Sequence, residues 1–520
     1  MQIIVHDGAD LKRIDVTDGQ TVLAALQSAH MTTDAPCGGI GCCKKCRVLV
    51  SDDRGVSYRL ACQTPVSDGM EVTVERNRNM NVSMGSNLCS WPADGAIDTW
   101  GLAIDVGTTT VVCRLHELSN GRLLDALGCS NPQIVFGADV LSRISASDVD
   151  GVISMQELLG DTLVDMAEEL IERHGIEKCN LAHAVLCGNT TMEHLALAID
   201  PTPLGVSPFV PPTLFGDVRV YEPFARTGIA EGKVLFAPCI AAYVGGDITA
   251  GMLAMRMHEA SAPMLLIDLG TNGEMALGDA RGITCCATAA GPVFEGANVK
   301  YGMPAYPGAI SRVTLADDGT LAFTIIGKDG IVDAQGASDA LGICGTGLFD
   351  TVALLLTYGI VDETGRMLKV DEIDTARSRG LEHLLTEEDG QPAFRLTDRI
   401  SITQADVRNL QLAKASVCAG ALTLMDAMGY TPEDISELLI AGGFGEYLDL
   451  ASAARVGIFP SELLPRARSV GNTAIEGASA LVVSSEARAS LHDIVERSSY
   501  IELSTSAVFN ELYIEQMEFE

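Results

Sequence analysis

Positive charge and aromatic side chains are both scarce in this chain. Lys plus Arg number 35 against 69 Asp plus Glu, a formal net charge of −34. Such a surface repels phosphate backbones, so nucleic acid is not expected as a partner. Aromatics make up 5% of residues but hydrophobic residues 47%, so the cores are largely aliphatic and the chain is not disordered. Long apolar runs are also missing: none approaches the ~20 residues of a membrane span, and no membrane is expected. The opening Met1-Gln2-Ile3-Ile4-Val5-His6-Asp7 lacks a basic region followed by an apolar one. That reads as no export signal and a cytoplasmic location. The 520 residues leave room for about three or four domain-sized units.

Two stretches stand out. Leu102-Ala103-Ile104-Asp105-Val106-Gly107-Thr108-Thr109-Thr110 is an apolar run that reaches Asp, Gly and then three hydroxyl residues, before Val111-Val112 resumes the pattern. This reads as strand, tight turn, strand. Glycine lets backbone N–H groups approach an anion. Thr hydroxyls can donate to phosphate oxygens, and Asp105 can hold Mg²⁺ through water. Leu265-Leu266-Ile267-Asp268-Leu269-Gly270-Thr271-Asn272-Gly273-Glu274 repeats the grammar. A duplicated unit with nucleotide phosphates clamped between two hairpins is the reading that explains the recurrence.

Cysteine is present in odd number, 15, and five of these lie between Cys37 and Cys62. A disulfide framework does not suit a chain of this size without an export signal. The other ten are scattered and read as small buried hydrophobes. Structural zinc sites usually pair two short-spaced couples or add a His pair. Here three Cys share one Gly-rich loop, one stands alone downstream, and no His is near. The layout suits a [2Fe–2S] cluster in preference to zinc, with the bare loop turning N–H groups toward sulfides. Counting from Cys37, the plant-type spacing lands on Cys42 and then Lys45, which cannot ligate. One more residue in the first gap lands on Cys43 and then Cys46. Cys62, in Leu-Ala-Cys-Gln, is the fourth ligand, and Cys42 points away. No Cys follows Cys418, so no second cluster site lies at the C-terminus.

Taken in order, residues 2–7 and 11–16 alternate as strands, 21–29 has helical spacing, and 47–50 and 71–75 are strands. These elements and the Cys loop make a small α+β unit. Residues 76–98, rich in Asn, Ser, Gly and Asp, read as a linker. Helices are expected at 139–144 and 154–173, and a strand at 184–188 feeding a polar turn. Asp247 opens a small-residue helix and is most simply an N-cap. Glu295 is a loop carboxylate, either solvated or facing a cleft. Gly345, Thr346 and Gly347 precede a helix, their glycines permitting close packing or a hinge. Residues 364–400 read as a surface excursion. Gly442-Gly443-Phe444-Gly445 ends a strand in a turn that lets a flat adenine ring approach the backbone.

From residue 101 onward these motifs, in this order, resemble the actin-like ATPase superfamily that includes acetate and sugar kinases. The N-terminal Cys-Gly-Gly-x-Gly-x-Cys-x-x-Cys resembles [2Fe–2S] ferredoxins of the β-grasp class, departing at Lys44 and by the additional Cys42. The combination is similar to reductive activators of corrinoid proteins. The resemblance implies an α+β β-grasp ferredoxin domain at 1–76, a linker at 77–98, and an α/β two-lobed ribonuclease-H-like ATPase with lobes at 99–258 and 259–520. It implies a [2Fe–2S] cluster on Cys37, Cys43, Cys46 and Cys62, together with ATP and Mg²⁺. Asp105, Gly107, Thr108, Thr109 and Thr110 would form one phosphate loop, and Asp268, Gly270, Thr271, Asn272, Gly273 and Glu274 the other. Gly442, Gly443, Phe444 and Gly445 would form the adenosine turn. Gly345 and Thr346 would belong to the nucleotide site, on an element with Gly342 and Gly347 that connects the lobes. Asp247 stands where related folds place a catalytic carboxylate, so both its readings stay open. The implied partners are the corrinoid protein of a methyltransferase system, whose Co(II) is returned to Co(I), and an upstream low-potential electron donor. A homodimer is left open. The rival readings are an activator of another low-potential metalloenzyme, a small-molecule kinase with a fused redox domain, and a binding module with a structural ATP site.

Overall fold

The computed structural model describes residues 1–7, 10–29, 31, 46–52, 55–74, 91–137 and 139–519. Cys37, Cys42 and Cys43, and residues 77–90 of the expected linker, lie outside the described residues.

Five strands form the N-terminal sheet: β1 (Gln2–Asp7), β2 (Asp10–Asp15), β3 (Arg47–Asp52), β4 (Gly55–Leu60) and β5 (Glu71–Val74), in the order β2-β1-β5-β3-β4. Alternation puts Ile3, Val5, Val48, Val50 and Val72 on one buried face, where Val22, Leu23 and Leu26 of the helix Val22–Ser28 join them. Thr21 caps that helix by accepting from the Ala24 N–H. Strand β4 was not anticipated from sequence. Its side chains are mostly exposed, so it has no apolar alternation to read.

The next sheet comprises β6 (Trp100–Val106), β7 (Thr110–Glu117), β8 (Leu123–Ser130), β9 (Leu181–Gly188), β10 (Val218–Val220) and β11 (Lys233–Phe236), ordered β10-β11-β9-β6-β7-β8. The helix Val149–His174 covers it. Met155, Leu159, Leu163, Met166 and Leu170 are its buried stripe, spaced for one helical face. Asp148 caps its start at 2.7 Å from the Gly151 N–H, and Gly175 ends it with φ 64°. The helix therefore begins five residues before the expected 154, because the cap precedes the apolar stripe.

A second six-stranded sheet follows. It holds β12 (Met264–Leu269), β13 (Gly273–Asp279) and β14 (Gly282–Thr288), then, after two smaller sheets, β22 (Glu437–Ala441), β23 (Ala467–Gly471) and β24 (Ser498–Tyr500). The smaller sheets are β15 (Ala309–Leu315), β16 (Leu321–Ile325), β17 (Ile331–Asp333) and β18 (Gly342–Ile343), and β19 (Leu385–Glu388), β20 (Gln391–Arg395) and β21 (Ser401–Thr403). The two large sheets share a plan. In each, an Asp-bearing strand runs parallel to one neighbour and antiparallel to the strand its turn leads into: β6 with β9 and β7, β12 with β22 and β13. The duplication seen in sequence is thus a duplication of sheet topology.

Residues 364–400 are not merely a surface excursion. Leu381, Phe394 and Leu396 are buried in the second core, which the strong local charge had masked. The last part of the expected linker is packed as well. Trp91 is buried, and Asp94 accepts from the Ser485 N–H at 2.8 Å and pairs with Arg488 at 2.6 Å.

The chain forms two compact units, Met1–Ala250 with Ala474–His492, and Gly251–Thr473 with Asp493–Glu520. This differs from an uninterrupted division near residue 258. Residues 474–492 join the first unit through polar groups invisible in sequence. Glu476 pairs with buried Arg114 of β7 at 2.9 Å, and Ser479 lies 3.0 Å from His116 Nε2. Burial, first of all, holds the His116 pKa down to about 4 from 6.5. The unfolded imidazole binds its proton near 6.5 and the folded one only near 4, so stability falls as pH drops through that window. The share due to His116 is on the order of 3 kcal/mol at its lower end. His116→Gln should flatten that part of the thermal-midpoint curve; parallel curves for variant and wild type would contradict the assignment.

Candidate active site

Both phosphate hairpins close on their glycine. The Gly107 N–H donates to the Thr110 carbonyl and the Gly270 N–H to the Asn272 carbonyl, each at 2.9 Å. Asp105 ends β6 as a buried carboxylate, paired in register with Cys187 of β9. Asp268 ends β12 opposite Glu274 of β13 and beside Ala441 of β22. Two carboxylates directly opposite on an antiparallel pair repel one another unless a cation lies nearby.

The turn after β22 meets the second hairpin. Gly442 has φ 90°, and a Cβ there would lie 2.6 Å from Asp268 Oδ1 and from the Leu269 carbonyl. Only glycine fits this position, on both counts. Thr271 Oγ1 donates to Glu295 at 2.9 Å, which draws Glu295 to the hairpin. Asp268, Gly270–Glu274, Glu295 and Gly442 thus form one constellation within the second unit. Gly443 has open space at its Cα.

Phe444 and the Gly345–Thr346 pair make packing contacts inside the second unit. The Phe444 ring stacks on Phe294 with centroids 5.3 Å apart and planes 10° apart, and lies 5.5 Å from Phe349. Thr346 Oγ1 donates to the Ser311 carbonyl at 2.8 Å, and a Cβ on Gly345 would strike the Phe294 carbonyl at 1.9 Å. These residues fasten the helix Gly345–Thr357 inside the second unit. Small side chains at a helix start look alike in sequence whether they serve packing or a ligand.

In the first unit, the loop after β6 rests on residues that sequence did not single out. Asn131 donates from its backbone to the Thr109 carbonyl and from Nδ2 to the Gly107 carbonyl, both at 2.8 Å. Asn189 Nδ2 donates to Thr108 Oγ1 at 3.0 Å. That hydroxyl, having accepted, has its own proton to give. Asn189 also caps the helix Thr190–Ala196, the one role its sequence context announces.

Asp247 is the second residue of the helix Gly246–Ala254. It lies inside the first turn, where its Oδ1 accepts from the Ile248 N–H at 2.8 Å. Glu193 is buried beneath that turn. A Cβ on Gly246 would lie 2.2 Å from Glu193 Oε1, and the Gly188 backbone and the Cys239 side chain are the hydrogen-bonding groups that face its carboxyl. Burial, and next the charge of Asp247, push the Glu193 carboxyl well above the usual range. Burial first, then Asp105 and Asp247, does the same to the Cys187 thiol. Glu193 was hidden in Gly-Asn-Thr-Thr-Met-Glu-His, where nothing marks it as different from a helix-surface carboxylate.

The described half of the cluster site is pre-shaped by strand pairing. Arg47 of β3 pairs with Leu60 of β4, which brings Cys46 beside the turn Ala61–Gln63. The Ala61 N–H donates to the Cys46 carbonyl at 2.6 Å, and the Cys62 N–H lies 3.5 Å from Cys46 Sγ. Hydrogen bonds to the sulfurs are among the contacts by which a protein tunes an iron–sulfur cluster. Cys46 is buried and Cys62 half-buried.

Two duplicated sheets with matched Asp-Gly-Thr hairpins, preceded by a five-stranded domain that brings Cys46 and Cys62 together, define an iron–sulfur protein fused to an actin-like ATPase. Family models agree: residues 5–67 match "2Fe-2S iron-sulfur cluster binding domain", 100–260 match "RACo middle region", and 262–520 match "C-terminal domain of RACo the ASKHA domain". The chain belongs to the reductive activators of corrinoid proteins. It is 29% identical to "Corrinoid activation enzyme RamQ" of Eubacterium limosum, over 97% of each chain. It is 24% identical to "[Co(II) methylated amine-specific corrinoid protein] reductase" of Methanosarcina barkeri, over 81% of this chain and 77% of that one. A solved structure titled "Reductive activator for corrinoid,iron-sulfur protein" superposes with TM-score 0.68 at 28% identity, covering 99% of this chain and 98% of that one.

Proposed function

We propose that this chain uses ATP to deliver an electron to the Co(II) corrinoid of a methyltransferase-system corrinoid protein, restoring Co(I). The observation that carries this reading is the end-to-end likeness to corrinoid activators of a chain holding both the Cys46–Cys62 pair and the duplicated hairpins. Cys37, Cys43, Cys46 and Cys62 would hold the [2Fe–2S] cluster, which supplies a one-electron relay. A plant-type cluster lies near about −400 mV, and each ~59 mV uphill costs a factor of ten for one electron. A coupled ATP cycle is a means of shifting that equilibrium through the partner's docking.

Among the described residues no three metal-type side chains gather closely enough to hold a bare ion. Asp105 in the first unit, and Asp268 with Glu274 in the second, are each carboxylates of the kind that holds Mg²⁺, which is usually kept by one or two carboxylates with water and nucleotide phosphates. Asp247 orients the attacking water, the Thr108 hydroxyl meets a phosphate oxygen, and Thr271 does so by turning its hydroxyl away from Glu295. Among the described residues no helix is long and apolar enough to cross a membrane.

The test is anaerobic: purified protein, a chemical reductant, candidate corrinoid proteins, and Mg-ATP present or withheld. The visible spectrum of cobalt should show Co(I) only when reductant and Mg-ATP are both present. Phosphorylation of a small acid or sugar, with no corrinoid protein reduced, would instead establish the kinase reading.

A further inference from the structure

Arg143 is a fully buried cation directly beneath the first phosphate loop. It lies on the short helix Val140–Ser145, whose start is fixed by Asp139 accepting from the Ser142 N–H at 2.8 Å. Its Nη2 donates to the Thr108 carbonyl at 2.6 Å and its Nε to the Gly137 carbonyl at 3.0 Å, while Nη1 lies 3.1 Å from Met192 Sδ. With Asn131 holding the carbonyls of Gly107 and Thr109, every carbonyl of the Gly107-Thr108-Thr109 turn is tied into the protein.

We infer that Arg143 is the positioning residue of the first phosphate loop, setting the Thr108–Thr109 peptide for the terminal phosphates of a nucleotide. The argument is geometric. A trans peptide is planar, with N–H and C=O on opposite edges. Drawing the Thr108 carbonyl inward turns the Thr109 N–H outward. A guanidinium on that carbonyl also polarises the peptide, and does so in a low dielectric, where the effect is larger than in water. Packing alone does not require a charge here, since burying one is costly unless it is well hydrogen-bonded. Lysine cannot replace the fork, because a point charge does not reach two carbonyls in one plane.

The inference rests on the nucleotide reading, and the experiment separates the two. Binding of ATP, ADP and AMP is measured calorimetrically for wild type, Arg143→Lys and Arg143→Met, with the thermal midpoint and the visible cluster spectrum as controls of folding. In Arg143→Met the ATP dissociation constant should rise about tenfold or more, as for loss of a charge-assisted hydrogen bond, while that of AMP shifts less than about twofold. Arg143→Lys should fall between, and it decides the matter if the Met variant does not fold. Equal weakening of ATP and AMP, or no weakening, would overturn the role of Arg143 and leave the nucleotide site standing. A wild-type chain that does not prefer ATP to AMP would overturn the nucleotide reading, and this inference with it.

Discussion

Asp268→Ala and Asp105→Ala are each expected to lower ATP turnover by roughly a hundred- to a thousandfold, the loss typical when one preorganised electrostatic group is removed from a phosphoryl-transfer site. The cluster spectrum should be unchanged, since Cys46 and Cys62 flank strands of a separate sheet. Asp268 should be the more sensitive, because Glu274 faces it and Gly442 closes on it. Asp247→Ala should keep ATP binding yet lose turnover, which separates water orientation from phosphate holding. Phosphate release and nucleotide binding, measured in parallel, are sufficient. Wild-type turnover in Asp105→Ala or Asp268→Ala would remove the phosphate-clamp reading altogether.

The second large effect concerns the cluster. Cys46→Ser should lose or strongly perturb the visible absorbance and the reduced-state EPR signal, whereas Cys42→Ser should leave both nearly unchanged. Cys46 is buried and accepts the Cys62 N–H, which supports its proposed role as a ligand. Cys42 is excluded by spacing: a register through it would need Lys45 as the next ligand. An intact cluster in Cys46→Ser, or a lost one in Cys42→Ser, would overturn the x₅-then-x₂ register.

What could be read from sequence followed local grammar. The two Asp-x-Gly-Thr turns, the helix Val149–His174 and the alternating strands of the N-terminal domain all carry their signal within a few residues. The missed residues act across long separations. Arg143 is 35 residues from Thr108, and Asn189 is 81, and neither sits in a pattern that marks it. Gly442 was legible as a turn, but the reason for it, the carboxylate of Asp268, comes from a strand more than 170 residues earlier. The motif points Phe444 and Thr346 to the nucleotide, and the aromatic stack and the Ser311 carbonyl that also engage them are visible only in three dimensions.

The return of residues 474–492 to the first unit has a consequence for how the protein is made. Domains emerging from a ribosome generally fold in order, the N-terminal one first. Here the first unit must wait. The Glu476 partner of Arg114, and the Val482 side chain packed on Gly101, are synthesised only after five of the six strands of the second large sheet. A fragment that stops anywhere before residue 474 therefore lacks part of the first unit's own interior, and no single cut in the chain yields either unit whole.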